Sequence, residues 1–135
     1  MQVIKSTKII YYDVDDTLIM WDLSATEYES SNLIRIVDPA SGVSRYCLPH
    51  QRHIDLMQEF KVRGHTIVVW SQGGSEWAHR AVVALGIENL VDVVIGKPDW
   101  YVDDRGVESW MKKPVYLHPT DPLKDKRWGV ENEDS

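Results

Sequence analysis

The sequence contains one cysteine, Cys47, so the chain cannot form an internal disulfide. Small extracellular domains commonly rely on disulfides, whereas a single thiol is typical of the reducing cytoplasm, where we expect this protein. Long apolar runs are also missing, because no stretch approaches the roughly 20 residues of a membrane-spanning helix. We therefore expect no membrane partner.

Basic residues are not in excess either. The 15 Lys and Arg are outnumbered by 21 Asp and Glu, which gives a net charge of −6. General nucleic-acid binders and membrane-surface binders usually present a basic face. The charge balance therefore argues against nucleic acid as the main partner, although it leaves room for a local basic pocket.

Three catalytic signatures are missing from the sequence. The lack of a GxxxxGK[ST] loop argues against a nucleoside triphosphatase of the P-loop type, and the lack of CxxC and HExxH argues against a zinc site. The five histidines show no metal-ligand spacing. His50, just before the first helical pattern, is the histidine expected nearest a functional site.

What the sequence does contain is an alternation of strand and helix patterns. Apolar runs predict four strands, at Thr7–Tyr12, His65–Trp70, Val91–Ile95 and the short segment Trp100–Asp104. Apolar residues at helical spacing predict two helices, one from about Ile54 that stops at Gly64 and one from about Trp77 that stops at Gly86. This order predicts an α/β fold with a mostly parallel central sheet, covered on both faces.

A β-hairpin is predicted between the first strand and the first helix. The segments "NLIRIV" (32–37) and "VSRYCL" (43–48) flank "DPASG", whose Pro and Gly favour a turn. We interpret residues 1–135 as one domain, with about residues 19–49 as a hairpin flap and about residues 124–135 as a flexible, charged tail. The open edge of the hairpin could pair with a second copy, so a homo-oligomer remains an option.

Polar residues follow each predicted strand where it ends. They are Asp13 and Asp15, then Ser71 and Gln72, then Lys97, then Asp103 and Asp104. In a parallel sheet these positions meet at one edge, where ligands of such folds bind. Clustered carboxylates need a cation, and hard oxygen ligands suit Mg²⁺, while a lysine and a hydroxyl suit a phosphate. The sequence therefore predicts a site for phosphate and Mg²⁺ together.

These segments resemble the four motifs of the haloacid dehalogenase superfamily of phosphohydrolases. "DVDDTL" resembles the first motif, "VVWS" the second, "GKP" the third and "YVDD" the fourth, in the family's order between Ile9 and Asp104. The ordered set is far more specific than any single motif. The resemblance implies a Rossmann-like three-layer sandwich with a mostly parallel central sheet.

The resemblance also implies roles for individual residues. Asp13 would be the nucleophile that takes the phosphoryl group, and Asp15 would be the general acid and then the general base. Ser71 and Lys97 would hold the phosphate and its developing charge. Apart from the resemblance, the position of Gln72, Gly73 and Gly74 at a helix start predicts that their main-chain N–H groups cradle the phosphate, and the alternative for the two glycines is a flexible turn.

The Mg²⁺ ligands implied by the resemblance are the Asp13 carboxylate, the Asp15 main-chain carbonyl and Asp104, with Asp103 in support. Either acid of the Asp103–Asp104 pair remains open as the direct ligand. Five residues separate Lys97 from Asp103, which is short for the superfamily and resembles a subset of its small members. Only the predicted hairpin lies between Thr17 and the first helix, so the chain resembles the members without a large cap, whose site is open.

The function expected from this reasoning is a Mg²⁺-dependent phosphomonoester hydrolase that forms an aspartyl-phosphate. Its substrate would be a small phosphorylated metabolite, either a sugar phosphate or a nucleotide. One alternative is a phosphatase of nucleic-acid ends, which an open site permits and the acidic charge disfavours. Another is a non-catalytic binding or regulatory domain of the same fold. A two-component receiver would need a phosphoacceptor such as Asp55, which lies in a helical pattern.

Trp21, Trp77 and Trp100 lie close to the motifs in the sequence. We interpret them as packing residues of the core or of the site's rim, because aromatic residues at such positions most often pack. The alternative is that one of them stacks on a base.

Overall fold

The computed structural model describes residues 7–21, 32–111 and 114–127. Within these ranges the chain forms six strands and two α-helices, in the order β1 Ile9–Asp13, β2 Ile19–Met20, β3 Ile34–Val37, β4 Ser44–Pro49, α1 Gln51–Val62, β5 Thr66–Ser71, α2 Ser75–Leu85 and β6 Val93–Gly96. The predicted α/β class is confirmed, with one parallel sheet and one small antiparallel sheet.

The parallel sheet has the strand order β1-β5-β6, so β5 is its central strand. The register pairs Asp13 with Trp70 and Ser71 with Gly96, which aligns the carboxyl ends of the strands. Ile67, Val68 and Val69 of β5 are all buried. Because successive side chains of a strand point to opposite faces, β5 is covered on both faces, as the sequence predicted.

The antiparallel sheet contains the predicted hairpin. Strand β4 pairs with β3 on one side and with the short β2 on the other. The turn is closed by the Asp38 carboxylate, which accepts a hydrogen bond from the main-chain N–H of Ala40 at 2.8 Å. This bond lowers the pKa of Asp38 below its ordinary value. The hairpin therefore starts and ends within one or two residues of the predicted limits.

Both helices end close to the glycines at which the sequence predicted their ends. Gly64 follows α1 with φ of 85°, and Gly86 caps α2 with φ of 68°, a left-handed conformation that glycine adopts without strain. The buried faces of the helices are built from His53, Ile54, Met57 and Phe60 in α1, and from Trp77, Ala78, Ala81 and Val82 in α2. In the described ranges, neither helix has the length and apolar character needed to cross a membrane.

The predicted fourth strand is wrong. Residues 101–103 have no regular structure, and the side chains of Trp100 and Val102 are 90% and 104% exposed. Strand propensity mainly reflects packing against neighbouring strands, and among the described residues β1 pairs with β5 alone. The apolar pattern of "WYVDD" therefore lacks the paired, buried surface that would make it a strand.

Asp125 and Lys126, which lie in the predicted tail, contact the rest of the described chain. Arg52 forms two hydrogen bonds to the Asp125 carboxylate, at 2.9 and 2.7 Å, and the main chains of Tyr116 and Lys126 exchange two bonds of 2.7 Å. Asp125 also accepts a bond from the main-chain N–H of His118. Asp125 is therefore held against the start of α1, and residues 128–135, the rest of the predicted tail, lie outside the described residues.

A pair of stacked histidines, His50 and His53, connects three segments of the chain. Their rings are 3.7 Å apart and nearly parallel. His53 Nε2 accepts from the Leu117 main-chain N–H at 2.8 Å, so its Nδ1 carries the proton and donates to the Thr17 carbonyl at 2.6 Å. His50 Nδ1 accepts from the His53 N–H, and its Nε2 donates to the Leu117 carbonyl at 2.7 Å.

This histidine pair corrects the expectation that His50 lines the functional site. His50 and His53 are 1% and 2% exposed, and both nitrogens of each ring are used by the main chain. Burial lowers the pKa of both rings, to about 4 for His53. Each ring is thus neutral, with one donor and one acceptor nitrogen, and a second proton would remove the acceptor.

We expect acid to destabilise the fold through this pair. The unfolded histidines take up protons near pH 6.5, before the folded ones do, so their contribution is present above that pH and is lost as the pH falls toward 4. The free energy of unfolding in urea should fall by up to about 1.4 kcal/mol per pH unit through His53 in this window, and His50 should add to the fall in the same direction.

His53→Gln should reduce this slope, and the exposed control His79→Gln should not. Asp92 and Asp125 have pKa values lowered below 3.8, so their titration lies below the window. An unchanged slope in His53→Gln would contradict the assignment.

Candidate functional site

The aligned strand ends bring two of the sequence-predicted residues into contact. Lys97 Nζ lies 3.2 Å from Asp13 Oδ1. Because β1 and β6 flank β5, they are roughly 10 Å apart, and the lysine side chain must cross the end of β5 to make this contact. On the way its ammonium lies 5.7 Å from the ring centroid of Trp70, where a cation–π attraction adds to the ion pair.

Asp13 is held at the end of β1 by a second contact. Thr17 Oγ1 donates to Asp13 Oδ2 at 3.3 Å. The turn after β1 is tight, since the main-chain N–H groups of Thr17, Leu18 and Ile19 all point to the Val14 carbonyl. Asp13 remains 34% exposed, so its carboxylate is oriented by protein contacts yet accessible to a ligand.

Asp15 is bound by two indoles, Trp21 and Trp77, which we call the indole pair. Trp21 Nε1 donates to Asp15 Oδ1 at 2.9 Å, and Trp77 Nε1 donates to Asp15 Oδ2 at 3.3 Å. The two rings are nearly parallel, with an angle of 16° and 6.2 Å between centroids. Both oxygens of this carboxylate are therefore fixed in position, and each keeps one lone pair for another partner.

Sequence reasoning missed this role of the indole pair. Trp77 lies on the apolar face of α2 and is buried, so its helical spacing indicated packing and carried no sign of a polar partner. The bond from Trp77 to Asp15 joins residues 62 positions apart. The one signal for this role in the sequence was general: a buried indole N–H usually needs a hydrogen-bond acceptor.

Ser71 lies at the end of the central strand and is 1% exposed. Its Oγ accepts from the Gly73 N–H at 2.9 Å, and its carbonyl accepts from Gly74 at 3.1 Å and from Lys97 at 2.9 Å. The bonds from Gly73 and Gly74 fold the segment after β5 into a tight turn that leads into α2, and the bond from Lys97 joins β5 to the end of β6. Gln72, in the same turn, is exposed.

Asp103 and Asp104 are exposed and do not join the acids at the end of β1 in a ligand group. Asp103 Oδ1 accepts from the Arg105 N–H within its own loop. Among residues 7–21, 32–111 and 114–127, no three His, Cys, Asp or Glu side chains are grouped so that they could hold a metal ion. The role of Asp103 and Asp104 as Mg²⁺ ligands accordingly stays a prediction.

A cleft of about 330 Å³ opens beside Asp15, between the hairpin and the start of α2. It is lined by Asp15, Trp21, Asp38, Arg45, Gly73 and Trp77. Arg45 Nε lies 3.4 Å from the Asp38 carboxylate, so one cation and one anion of the hairpin face the indole pair. The hairpin thus forms one wall of the cleft.

Comparison of this chain with family models, curated proteins and solved structures gives no match. The relationship to the haloacid dehalogenase superfamily accordingly stays a prediction from the four motifs.

We expect Gly73→Ala to disturb the indole pair. A Cβ at Gly73 would lie 3.0 Å from Trp77 Cδ1 and 3.3 Å from Ser71 Oγ, so the indole or the turn would have to shift by a few tenths of an ångström. The free energy of unfolding should fall by roughly 1–2 kcal/mol, and the near-ultraviolet circular dichroism of the tryptophans should change.

Gly96→Ala is the matched control, because a Cβ there meets its nearest atoms at 3.7 Å, an ordinary contact. Its stability should stay within about 0.5 kcal/mol of the parent. Equal stability and equal spectra of the two variants would show that Gly73 does not fix Trp77.

Proposed function

We propose that the protein is a Mg²⁺-dependent phosphomonoester hydrolase in which Asp13 accepts the phosphoryl group. The observation that carries this proposal is the contact between Asp13 and Lys97 across the end of β5. A lysine that served only solubility would extend into water. Lys97 instead crosses the end of β5 to reach the Asp13 carboxylate, which is 34% exposed. An anionic substrate at this point would meet a nucleophile and a cation together.

The proposed reaction has two steps. An Asp13 oxygen attacks phosphorus, the P–O bond to the leaving group breaks, and Asp15 gives its proton to the departing oxygen. A water molecule then attacks the phosphorus of the acyl phosphate, gives a proton to Asp15 and releases inorganic phosphate, which restores Asp13. Lys97 shifts from Asp13 to the phosphate oxygens, whose charge it offsets together with the Ser71 hydroxyl.

The indole pair supports the role proposed for Asp15. A general acid must hold its proton within hydrogen-bond reach of the leaving oxygen, so the orientation of the carboxylate matters as much as its charge. Trp21 and Trp77 each fix one oxygen of Asp15. The cleft continues from this carboxylate, which leaves space for the remainder of a substrate.

The proposal includes Mg²⁺ because clustered carboxylates need a cation to offset their negative charge. The Asp13 carboxylate and the Asp15 main-chain carbonyl would hold it, and it would supply charge that offsets the repulsion between Asp13 and an anionic phosphate. The exposed pair Asp103 and Asp104 provides the further candidate ligands. The finer fold assignment, a Rossmann-like three-layer sandwich without a large cap, is proposed with the function and is supported by the parallel sheet and the open cleft.

Phosphate release from a panel of sugar phosphates, nucleotides and aryl phosphates tests this function. We expect release with Mg²⁺, none with EDTA, and a loss of roughly a thousandfold or more in Asp13→Asn, which cannot form the acyl phosphate.

Asp55→Asn is the matched control, because Asp55 is an exposed α1 residue whose carboxylate accepts a bond from Gln51. It should keep full activity. Phosphate release that persists in Asp13→Asn, or in the presence of EDTA, would contradict the proposal. Phosphorylation of Asp55 would favour a two-component receiver.

A further inference from the structure

The cleft beside Asp15 has the chemistry of a site for a flat, π-rich group. Its volume of about 330 Å³ lies within the range of small-molecule sites. The half-buried Trp21 and the buried Trp77 both line the cleft. The hairpin contributes Arg45, whose side chain is 52% exposed, together with Asp38.

The indole rings are oriented before any ligand arrives. Their N–H groups are bonded to Asp15, and the rings are stacked against each other. A ligand that stacks on Trp21 would therefore not have to immobilise a free side chain, which is the cost that usually weakens such contacts. The surface is thus preorganised for an aromatic ring.

We propose that this cleft binds the base of a nucleotide, so that the substrate is a nucleoside monophosphate and not a sugar phosphate. The inference rests on the proposed function, because the phosphate is placed at Asp13 and the leaving oxygen at Asp15. The base then stacks on Trp21, and its polar edge meets the guanidinium donors of Arg45 and the carboxylate acceptor of Asp38. A sugar phosphate has no aromatic ring, so it would gain less from this surface than a base does.

The charge of the cleft selects a mononucleotide over a nucleic-acid end. Asp15 and Asp38 line the cleft, and the chain carries a net charge of −6. A polynucleotide brings further phosphates that need basic contacts along its path. A mononucleotide brings one phosphate, whose charge Lys97 and Mg²⁺ would offset together.

The test compares adenosine and uridine 5′-monophosphate with ribose 5-phosphate, which presents the same ester without a base. We expect kcat/KM to favour the better nucleotide by roughly tenfold, the scale of one base–aromatic stack. Trp21→Leu should bring this ratio close to one. Trp21→Phe should keep most of it, because the ring face stays while the N–H to Asp15 is lost.

Three outcomes would overturn the proposal. The first is a ratio near one in the parent protein, and the second is an equal loss in the Leu and Phe variants, which would leave Trp21 only a role in positioning Asp15. The third is faster release from a 5′-phosphorylated oligonucleotide than from either mononucleotide, which would assign nucleic-acid ends as the substrate.

Binding of the nucleosides adenosine and uridine separates this inference from the proposed function. Addition of either nucleoside should shift the NMR signals of the Trp21 and Trp77 indole N–H groups in the parent protein. Shifted signals without phosphate release from any substrate would support the base site and contradict the proposed hydrolase. Phosphate release with unshifted signals would support the proposed hydrolase and contradict the base site.

Discussion

The parallel pairing of β1 with β5 and of β5 with β6 is the constraint on which the candidate site depends. Its register places Asp13 beside Trp70 and Ser71 beside Gly96, and so lets Lys97 cross the end of the central strand. A slip of one residue would turn Asp13 to the other face, since side chains alternate. The burial of β5 on both faces makes such a slip costly, so the hydrophobic core maintains the geometry of the polar groups.

The histidine pair joins this edge of the sheet to the C-terminal part of the described chain. His53 bonds the Thr17 carbonyl, four residues after Asp13, and also the main chain of Leu117. Tyr116 donates from its hydroxyl to the Asp16 carbonyl, which adds a contact to the same turn. The turn that follows β1 is therefore supported by residues about 100 positions away, and its conformation depends on the neutral state of two buried rings.

The indole pair combines a structural and a polar role. Trp77 belongs to the buried hydrophobic cluster of the core, while its N–H donates to Asp15, which lines the cleft. Core packing thus fixes the direction of a carboxylate that we propose as the general acid. Gly73 is part of the same arrangement, because a Cβ there would lie 3.0 Å from Trp77 Cδ1.

The sequence by itself determined the α/β class, the helix ends at Gly64 and Gly86, the hairpin, and the placement of Asp13, Ser71 and Lys97 at strand ends. These features follow from local periodicity and turn chemistry, which neighbouring residues specify. Only the tertiary structure decided that Trp100–Asp104 is not a strand, that both histidines are buried, and that two indoles hold Asp15. Those features depend on contacts between residues far apart in the chain. A local sequence pattern shows whether a side chain is apolar or polar, but it does not show which residues that side chain contacts.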